Sequence, residues 1–575
     1  MATVLTRGKA LPRATAHGSD SEKKDFDASS TSVASIPPLG EPIERKKHFW
    51  QRSKPYDSEA IATLPSVFDD PETAEKYQPP AEWENTHRFD PLARWTWGEE
   101  NKLIRKIDWR IMVWACIMFM ALELDRANIG QALTDNFLPE LKMNTNDYNL
   151  GNTVFKLSFL CAELPSQLVS KWVGPDRWIP TQMVLWSIVA SAQFWLSGRT
   201  SFLVCRALLG MLQGGFIPDI ILYLSYFYKH AELTIRLGYF WTAMSIADIL
   251  SALLAQGLLR MRGVEGHAGW RWLFLIEGLL TLIIGIMAFL LMPAGPCQTA
   301  SWFRGKGKEG WFNEREEVIM VNRVLREDPS KSDMHNRERI TVGLLWKSLK
   351  DYDLWPLYAL GLVFQIPFVP VGQYLTLSLR GLGFDTFQAN LLTIPYTVGH
   401  MITMLAVAYA AEKFSNLTAL SVTSQIWGLP FLIFFNVADL ANTNRWVIYA
   451  VTTLLLSFPN PHPIQVAWNS RNANSVRSRT ISAAVYNMAV QTSGIISSNI
   501  YREDDRASLY KRGNRQLLAI LCMNIVVYAL VKVYYVWKNK SRDKKWAAMT
   551  EEQRLDYLAT TKDEGNKRLD FRFEH

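Results

Sequence analysis

The chain has 575 residues, a formal net charge of +8 and five cysteines; 49% of its residues are hydrophobic and 20% are charged. The charges gather in residues 1–108, in 295–353 and beyond Lys538, and between these blocks lie all-round apolar runs of about 18–25 residues, the length that crosses a hydrocarbon core. A soluble chain of this length would instead divide into domains whose helices each carry one apolar stripe. The basic excess is the kind that cytoplasmic loops give a membrane protein, and no nucleic-acid motif accompanies it.

Residues 1–95 are rich in Ser, Pro, Lys, Glu and Asp and read as a mostly unstructured cytoplasmic tail. The first fifty residues lack the apolar core of a signal peptide, so the first span is expected to serve as its own insertion signal. Trp95–Asp108 has helical spacing and mixed charge, which suits a helix lying on the membrane surface. Spans are then expected at 109–130, 149–171, 178–197, 202–226, 237–259 and 272–292. A long polar stretch follows, and further spans are expected at 353–378, 388–411, 417–436, 445–466, 480–500 and 514–537. The layout is that of a two-halved transporter: a tail over 1–108, a six-helix half over 109–292, a central loop over 293–352, a second six-helix half over 353–537 and a tail over 538–575.

Orientation follows from the basic loops. With the N-terminus cytoplasmic, the inner side holds Lys171, Arg177, Lys229, Arg236, the basic stretch 304–350, Lys413, Arg471, Arg477, Arg479 and the tail from Lys538. The outer side is also charged at Arg260–Arg262 and Arg502–Arg515, but the bias puts both termini inside. The sequon at Asn416 then falls in a cytoplasmic turn and carries no glycan. Cys116, Cys161, Cys205, Cys297 and Cys522 form no CxxC pair, so neither a disulfide framework nor a metal or cofactor site is expected. No HExxH, phosphate-cradling loop or paired membrane histidine box is present, which speaks against an enzyme.

Charged residues inside spans are costly and are usually paired or functional. The first span ends in Glu123, Asp125, Arg126, Asn128 and Gly130. Two readings stand: the cluster has reached the outer interface, or Arg126 faces a central cavity, where its planar fork suits an anion and Asp125 balances it when the site is empty. Glu163 in the second span is either a proton carrier, since apolar surroundings favour a protonated carboxyl, or half of a salt bridge. The fourth span combines Arg206, a Gly210/Gly214 face suited to close packing, and Pro218 beside Asp219. Asp248 lies near the middle of the fifth span and must be protonated, paired or wet. The second half offers Gln365, Gln373, Tyr374, His400, Asn460, His462, Asn487, Gln491 and Asn499 as cavity lining; His400 is either a titrating group or a satisfied core histidine.

These residues carry a resemblance. Leu124–Gly130 (LDRANIG), Ala162–Leu168 (AELPSQL), Arg206–Phe240, Gly269–Gly278 (GWRWLFLIEG) and Asn499–Asn514 resemble the fungal anion:cation symporter family, the allantoate-permease branch of the major facilitator superfamily, over roughly residues 100–540. Met143–Thr153, Leu212–Asp219, Met292–Phe312 and Asp328–Arg337 look more narrowly like the fungal alternative sulfate and sulfonate transporters. The resemblance implies the major facilitator fold and import of sulfate, a sulfonate or a related sulfur-containing anion. Allantoate, ureidosuccinate, nicotinate, biotin or pantothenate are the alternatives in that branch. The distant vesicular glutamate and phosphate transporters have a similar first-span motif, where an arginine matching Arg126 binds the anion, and a fourth-span pattern matching Arg206 and Gly210. The chain departs from its relatives at Gln213, where many have a titratable glutamate, and at Lys171, where the superfamily's loop motif has an aspartate.

The expectation is an all-α membrane protein with twelve spans, a monomer in a lipid bilayer that carries a small anion with a co-transported proton. Substrate contacts are expected at Arg126, Asn128, Gln213, Gln365, Tyr374, Asn487 and Gln491. Proton coupling or gating is expected at Asp125, Glu163, Arg206, Asp219, Asp248 and His400. A transporter-like nutrient sensor, using its long tail and central loop to recruit partners, is the reading from a different class.

Overall fold

The computed structural model describes residues 38–41, 57–70, 74–75, 77–79, 81, 83–300, 310–329, 346, 350–414, 416–473, 476–506, 508–561 and 565–575. Most of the basic stretch 304–350 and the side chains of Lys171, Lys413, Arg477 and Arg479, all used above for orientation, lie outside the described residues. The chain forms two compact units.

The first unit takes residues from three stretches: 1–109, 225–235 and 295–334. Its first helix, α1 (Trp97–Ile107), starts at a capping box in which Thr96 and Glu99 satisfy each other's backbone N–H. A single antiparallel bridge pairs Ile61 with Thr96. Opposite lies a second capped helix, Glu314–Glu327, opened by Asn313 and Glu316. Its Arg323 side chain is fully buried and donates to both carboxylate oxygens of Glu232, at 3.0 and 3.1 Å, and to the Phe227 carbonyl at 2.6 Å. Glu100 accepts from Lys229 at 2.5 Å and from the Trp95 indole at 2.7 Å. Arg326 reaches back to the carbonyls of Leu64 and Pro91, at 2.9 and 3.0 Å. The expectation of a largely unstructured tail therefore fails for residues 57–70 and 83–108. Their polar side chains, read as solvated, find buried ionic partners more than two hundred residues away in sequence. The helix expected over Trp95–Asp108 is present, with Glu100, Leu103 and Ile107 of α1 buried.

The described residues of the second unit form helices joined by turns and loops, with no strand. Its first half comprises α2 (Val113–Ala132), α3 (Thr145–Val173), α4 (Pro175–Ala192), α5 (Arg199–Gln213), α6 (Phe216–Leu224), α7 (His230–Leu258, in this unit from Arg236) and α8 (Gly269–Leu291). The second half comprises α9 (Trp355–Val363), α10 (Val369–Gln373), α11 (Leu375–Gly381), α12 (Thr386–Leu391), α13 (Ile394–Lys413), α14 (Leu417–Val437), α15 (Arg445–Leu456), α16 (His462–Ala473), α17 (Val476–Ser497) and α18 (Lys511–Ala547).

Among the described residues, six helical stretches are long and apolar enough to cross a membrane: 199–224, 236–261, 269–291, 386–411, 417–437 and 511–547. The other expected spans coincide with helices that carry charge, as α2 does, or that are interrupted, as at 364–368 and 457–461. The fourth span, expected unbroken over 202–226, breaks at Gly214–Gly215, and Pro218 sits in the first turn of α6, where its missing N–H costs nothing. Gly210 and Gly214 do lie on a close-packed face: a Cβ on Gly210 would collide with the Phe155 carbonyl, and one on Gly214 would come within 2.6 Å of the Phe159 carbonyl. Large apolar side chains such as Ile188, Ile283, Ile402, Ile426 and Leu530 are exposed on the helices, the pattern expected where lipid is the solvent. The last helix overruns its expected end by ten residues, and the chain returns so that the Trp468 indole donates to the Glu574 carbonyl at 2.7 Å.

The two halves meet along a seam of polar contacts. Thr145 donates from its backbone N–H and hydroxyl to Glu503 at 3.0 and 2.5 Å. Asn149 donates to the Tyr501 carbonyl at 2.6 Å, and Thr376 to the Gly130 carbonyl at 2.5 Å. Asn390 donates to the Thr134 hydroxyl at 3.1 Å. These contacts gather at the helix ends that bear the loops at 133–144, 259–268 and 498–510.

Candidate substrate site

Arg126 projects from α2 between α3 and α5, within the first half. Its Nε donates to Gln213 Oε1 at 3.0 Å and its Nη1 to Glu123 Oε1 at 2.8 Å. The guanidinium carbon lies 5.2 Å from the Phe159 ring centre and 5.9 Å from that of Phe155. Nη2 is shielded from solvent and has no hydrogen-bond partner. A buried donor of a charged group left empty is costly, and a bidentate oxyanion would fill it.

Arg206, on α5, also lies over the Phe155 ring, 4.4 Å from its centre, and donates to Asn152 Oδ1 at 2.9 Å. It lies within electrostatic range of Arg126 and of Lys156. Lys156 Nζ crosses the seam to the Gly494 carbonyl at 2.7 Å and the Ser498 hydroxyl at 2.9 Å. Two turns along α3, Glu163 accepts two hydrogen bonds from Asn487 Nδ2, at 3.0 and 3.2 Å. Asp248 faces the same region, within electrostatic range of Glu123 and Tyr396. The structure thus joins Arg126 to Gln213, with Arg206 in electrostatic range, sets Asp248 near Glu123, and separately pairs Glu163 with Asn487, with half-buried Gln491 one turn from Asn487 on α17.

Other expected site residues lie elsewhere. Asp125 does not balance Arg126: one residue along a helix turns a side chain by about 100°, and Asp125 is buried against α4, where the Trp186 indole donates to it at 3.1 Å. Glu123, three residues before Arg126 and so on its face, is the partner instead. Asn128 is buried beside Glu277 of α8. Tyr374 belongs to the sealed end, where its hydroxyl bonds Asn149 and its ring packs among Tyr148, Tyr501 and Tyr510. Gln365 spends its amide on the Val490 carbonyl at 2.9 Å, within the second half. Asp219 is buried beside Ser166, whose hydroxyl lies 3.4 Å away. His400 packs on Phe458, with Asn460 at 3.5 Å.

Sequence reasoning missed Glu123 as the ion-pair partner, and it missed Lys156, Asn152, Phe155 and Glu277. Lys156 and Glu277 were findable: each is an isolated charge inside an apolar run, the criterion that selected Asp248. Phe155 and Phe159 were not, because an aromatic pair in a span reads as ordinary packing.

The family profile of the Major Facilitator Superfamily matches residues 115–498. The uncharacterized transporter YIL166C of Saccharomyces cerevisiae is 47% identical over 522 residues, covering 90% of this chain and 95% of that protein. The MFS-type transporter efuF of Hormonema carpetanum is 24% identical over 452 residues, covering 77% of this chain and 87% of its own length. Among solved structures, the partially occluded inward-open xylose transporter XylE from E. coli aligns with a TM-score of 0.55 at 13% identity, covering 75% of this chain and 97% of that one; this likeness concerns the fold. The profile match over more than half of the chain and the close relative along nearly its whole length agree: this multi-pass membrane protein is a transporter, not an enzyme, and belongs to the major facilitator superfamily.

Proposed function

We propose that the protein imports a small anion, sulfate or a sulfonate or a related sulfur-containing anion, by symport with protons and alternating access. The observation that carries this reading is Arg126, held by Gln213 and Glu123 with one nitrogen shielded and unpartnered. A guanidinium fixed in this way offers its free edge to an oxyanion, and Arg206 adds positive charge across the shared aromatic ring. The anion then competes with Glu123 for Arg126, which gives one route from substrate binding to a carboxylate. Asp248 and Glu163 are the candidates for the proton, because Gln213 cannot titrate. An organic carboxylate such as allantoate, ureidosuccinate or a vitamin anion fits the same fork and is the alternative cargo.

The basic loops support a cytoplasmic placement of both termini, and the plasma membrane is the proposed location. On that orientation the end held by Thr145–Glu503 and Asn149–Tyr501 is the outer one, and it is closed in this conformation. The decisive measurement is uptake of labelled sulfate, taurine and allantoate by cells lacking their own carriers, at two external pH values. Acid-stimulated uptake of sulfate or taurine is expected. Uptake of none of the three would end the anion reading, and uptake indifferent to pH would end the proton coupling.

A further inference from the structure

Lys156 is a cation in the membrane-spanning part of the protein whose bonded partners are neutral. Its ammonium donates to the Gly494 carbonyl at 2.7 Å and to the Ser498 hydroxyl at 2.9 Å. The berth is built for it by the opposite half. A Cβ on Gly494 would come within 3.0 Å of Nζ and 3.2 Å of Cδ and Cε, so the lysine stem runs over a residue that has no side chain. Ser498 is held in turn by its own hydrogen bond to the Gly494 carbonyl, at 2.8 Å.

The charges around Lys156 do not balance. Arg206 lies within electrostatic range, and Arg206 and Arg126 share the Phe155 ring. Of these three cations, Arg126 alone has a carboxylate bonded to it, Glu123, among the described residues. Each cation also keeps an unused donor: Nη2 of Arg126, Nε of Arg206, and one of the three ammonium hydrogens of Lys156. Unpaired cations in a bilayer are expensive unless something neutralises them. A singly charged anion would offset one of the two uncompensated charges, and a doubly charged one would offset both.

We propose that Lys156 is a second charge-binding contact for the transported anion, made through its unused ammonium hydrogen, and that it makes the site selective for dianions over monoanions. The proposal rests on the anion reading above and goes beyond it by naming the charge class of the cargo.

The test compares sulfate with methanesulfonate, which keeps the sulfur oxyanion but carries a single charge. Initial uptake rates are measured for wild type, Lys156→Gln and Lys156→Arg at equal abundance in the membrane. Lys156→Gln is expected to raise the KM for sulfate by about tenfold, the loss of one hydrogen bond to a charged group, and to change the KM for methanesulfonate by less than about twofold. Lys156→Arg keeps the charge and is expected to retain the preference for sulfate. A strut that merely joins the halves would lower the maximal rate for both anions and leave the KM ratio alone, and that result overturns the assignment. Should Lys156→Gln fail to reach the membrane, the wild type supplies the measurement through competition. Selenate should suppress sulfate uptake at concentrations where methanesulfonate has little effect; equal suppression overturns the proposal. Transport of monoanions alone would overturn the role of Lys156 and leave the anion reading standing, whereas transport of no anion overturns both.

Discussion

The Asn487 amide of α17 donates to both carboxylate oxygens of Glu163 on α3, so a carboxylate of one half is held by a neutral donor of the other. Asn487→Asp would set two carboxylates face to face, and like charges so placed cost several kcal/mol. Uptake at neutral external pH is expected to fall by at least about tenfold. The double change with Glu163→Gln, which restores one donor amide opposite one carboxylate, is expected to recover most of it. A double variant no better than Asn487→Asp alone would mean that the pair does not govern transport.

Arg126 carries the anion reading, and its removal is the most direct test of it. Arg126→Ala is expected to lower kcat/KM by about tenfold to a hundredfold, the worth of hydrogen bonds from a charged group, with membrane abundance unchanged. Arg126→Lys keeps the charge but not the planar fork that Gln213 and Glu123 hold, and should rescue poorly. Near-normal uptake by both variants would remove Arg126 from the site.

The legible part of this protein was the part that pattern alone dictates. Apolar runs of membrane-crossing length gave the helices of the second unit, and Gly210 and Gly214, four apart, gave a face where α5 presses on α3. Charge inside a span pointed to Arg126, Arg206 and Asp248 for the same reason. Direction was harder to read. Asp125 and Glu123 are both acids near Arg126 in sequence, and helical phase alone decides that Glu123 faces it while Asp125 meets Trp186. Least legible was the first unit. Arg323 is unremarkable within a polar loop, and its burial depends on Glu232 and Glu100, which lie far off in sequence.

Glu100 anchors that unit. Burial pushes its carboxyl toward the protonated form, but Lys229 and Arg323 outweigh burial and hold it below the usual carboxylate range. A depressed carboxyl stabilises the folded state above its ordinary pKa and loses that contribution as pH falls through the folded value. The first unit should therefore be steady around neutral pH and loosen only in acid below about pH 4. Glu100→Gln strands Lys229 and weakens the surroundings of buried Arg323, at a cost of about 3–5 kcal/mol. Faster proteolysis within residues 57–108 at neutral pH, and a flatter acid limb, are the expected readouts. Unchanged proteolysis would show that the ion pairs do not hold the segment.

Gly210→Leu drives a side chain into the backbone of α3 at Phe155. Overpacking of this kind costs about 1–3 kcal/mol, and more where backbone must move. The variant should accumulate poorly and melt earlier in detergent. Gly257→Ala in α7 is the control, since a Cβ there meets nothing within 4 Å; it should be neutral or stabilising by up to about 1 kcal/mol. Equal behaviour of the two would contradict the close approach of α5 to α3.

The partners within the first unit are far apart along the chain: Arg88 pairs with Glu317, 229 residues later, and Arg326 reaches Leu64 across 262 residues. A ribosome delivers the early segment long before its counterpart. During synthesis Arg88 and Leu64 must wait for these partners while every helix of the first half is inserted; Glu100 meets Lys229 sooner, and the arrival of Arg323 and Arg326 completes the set. The unit can thus be completed only once Glu314–Glu327 has been made, after the whole first half. Chains that stop short of Glu314–Glu327 would carry a permanently open segment, a mark by which quality control could distinguish half-made transporters from finished ones.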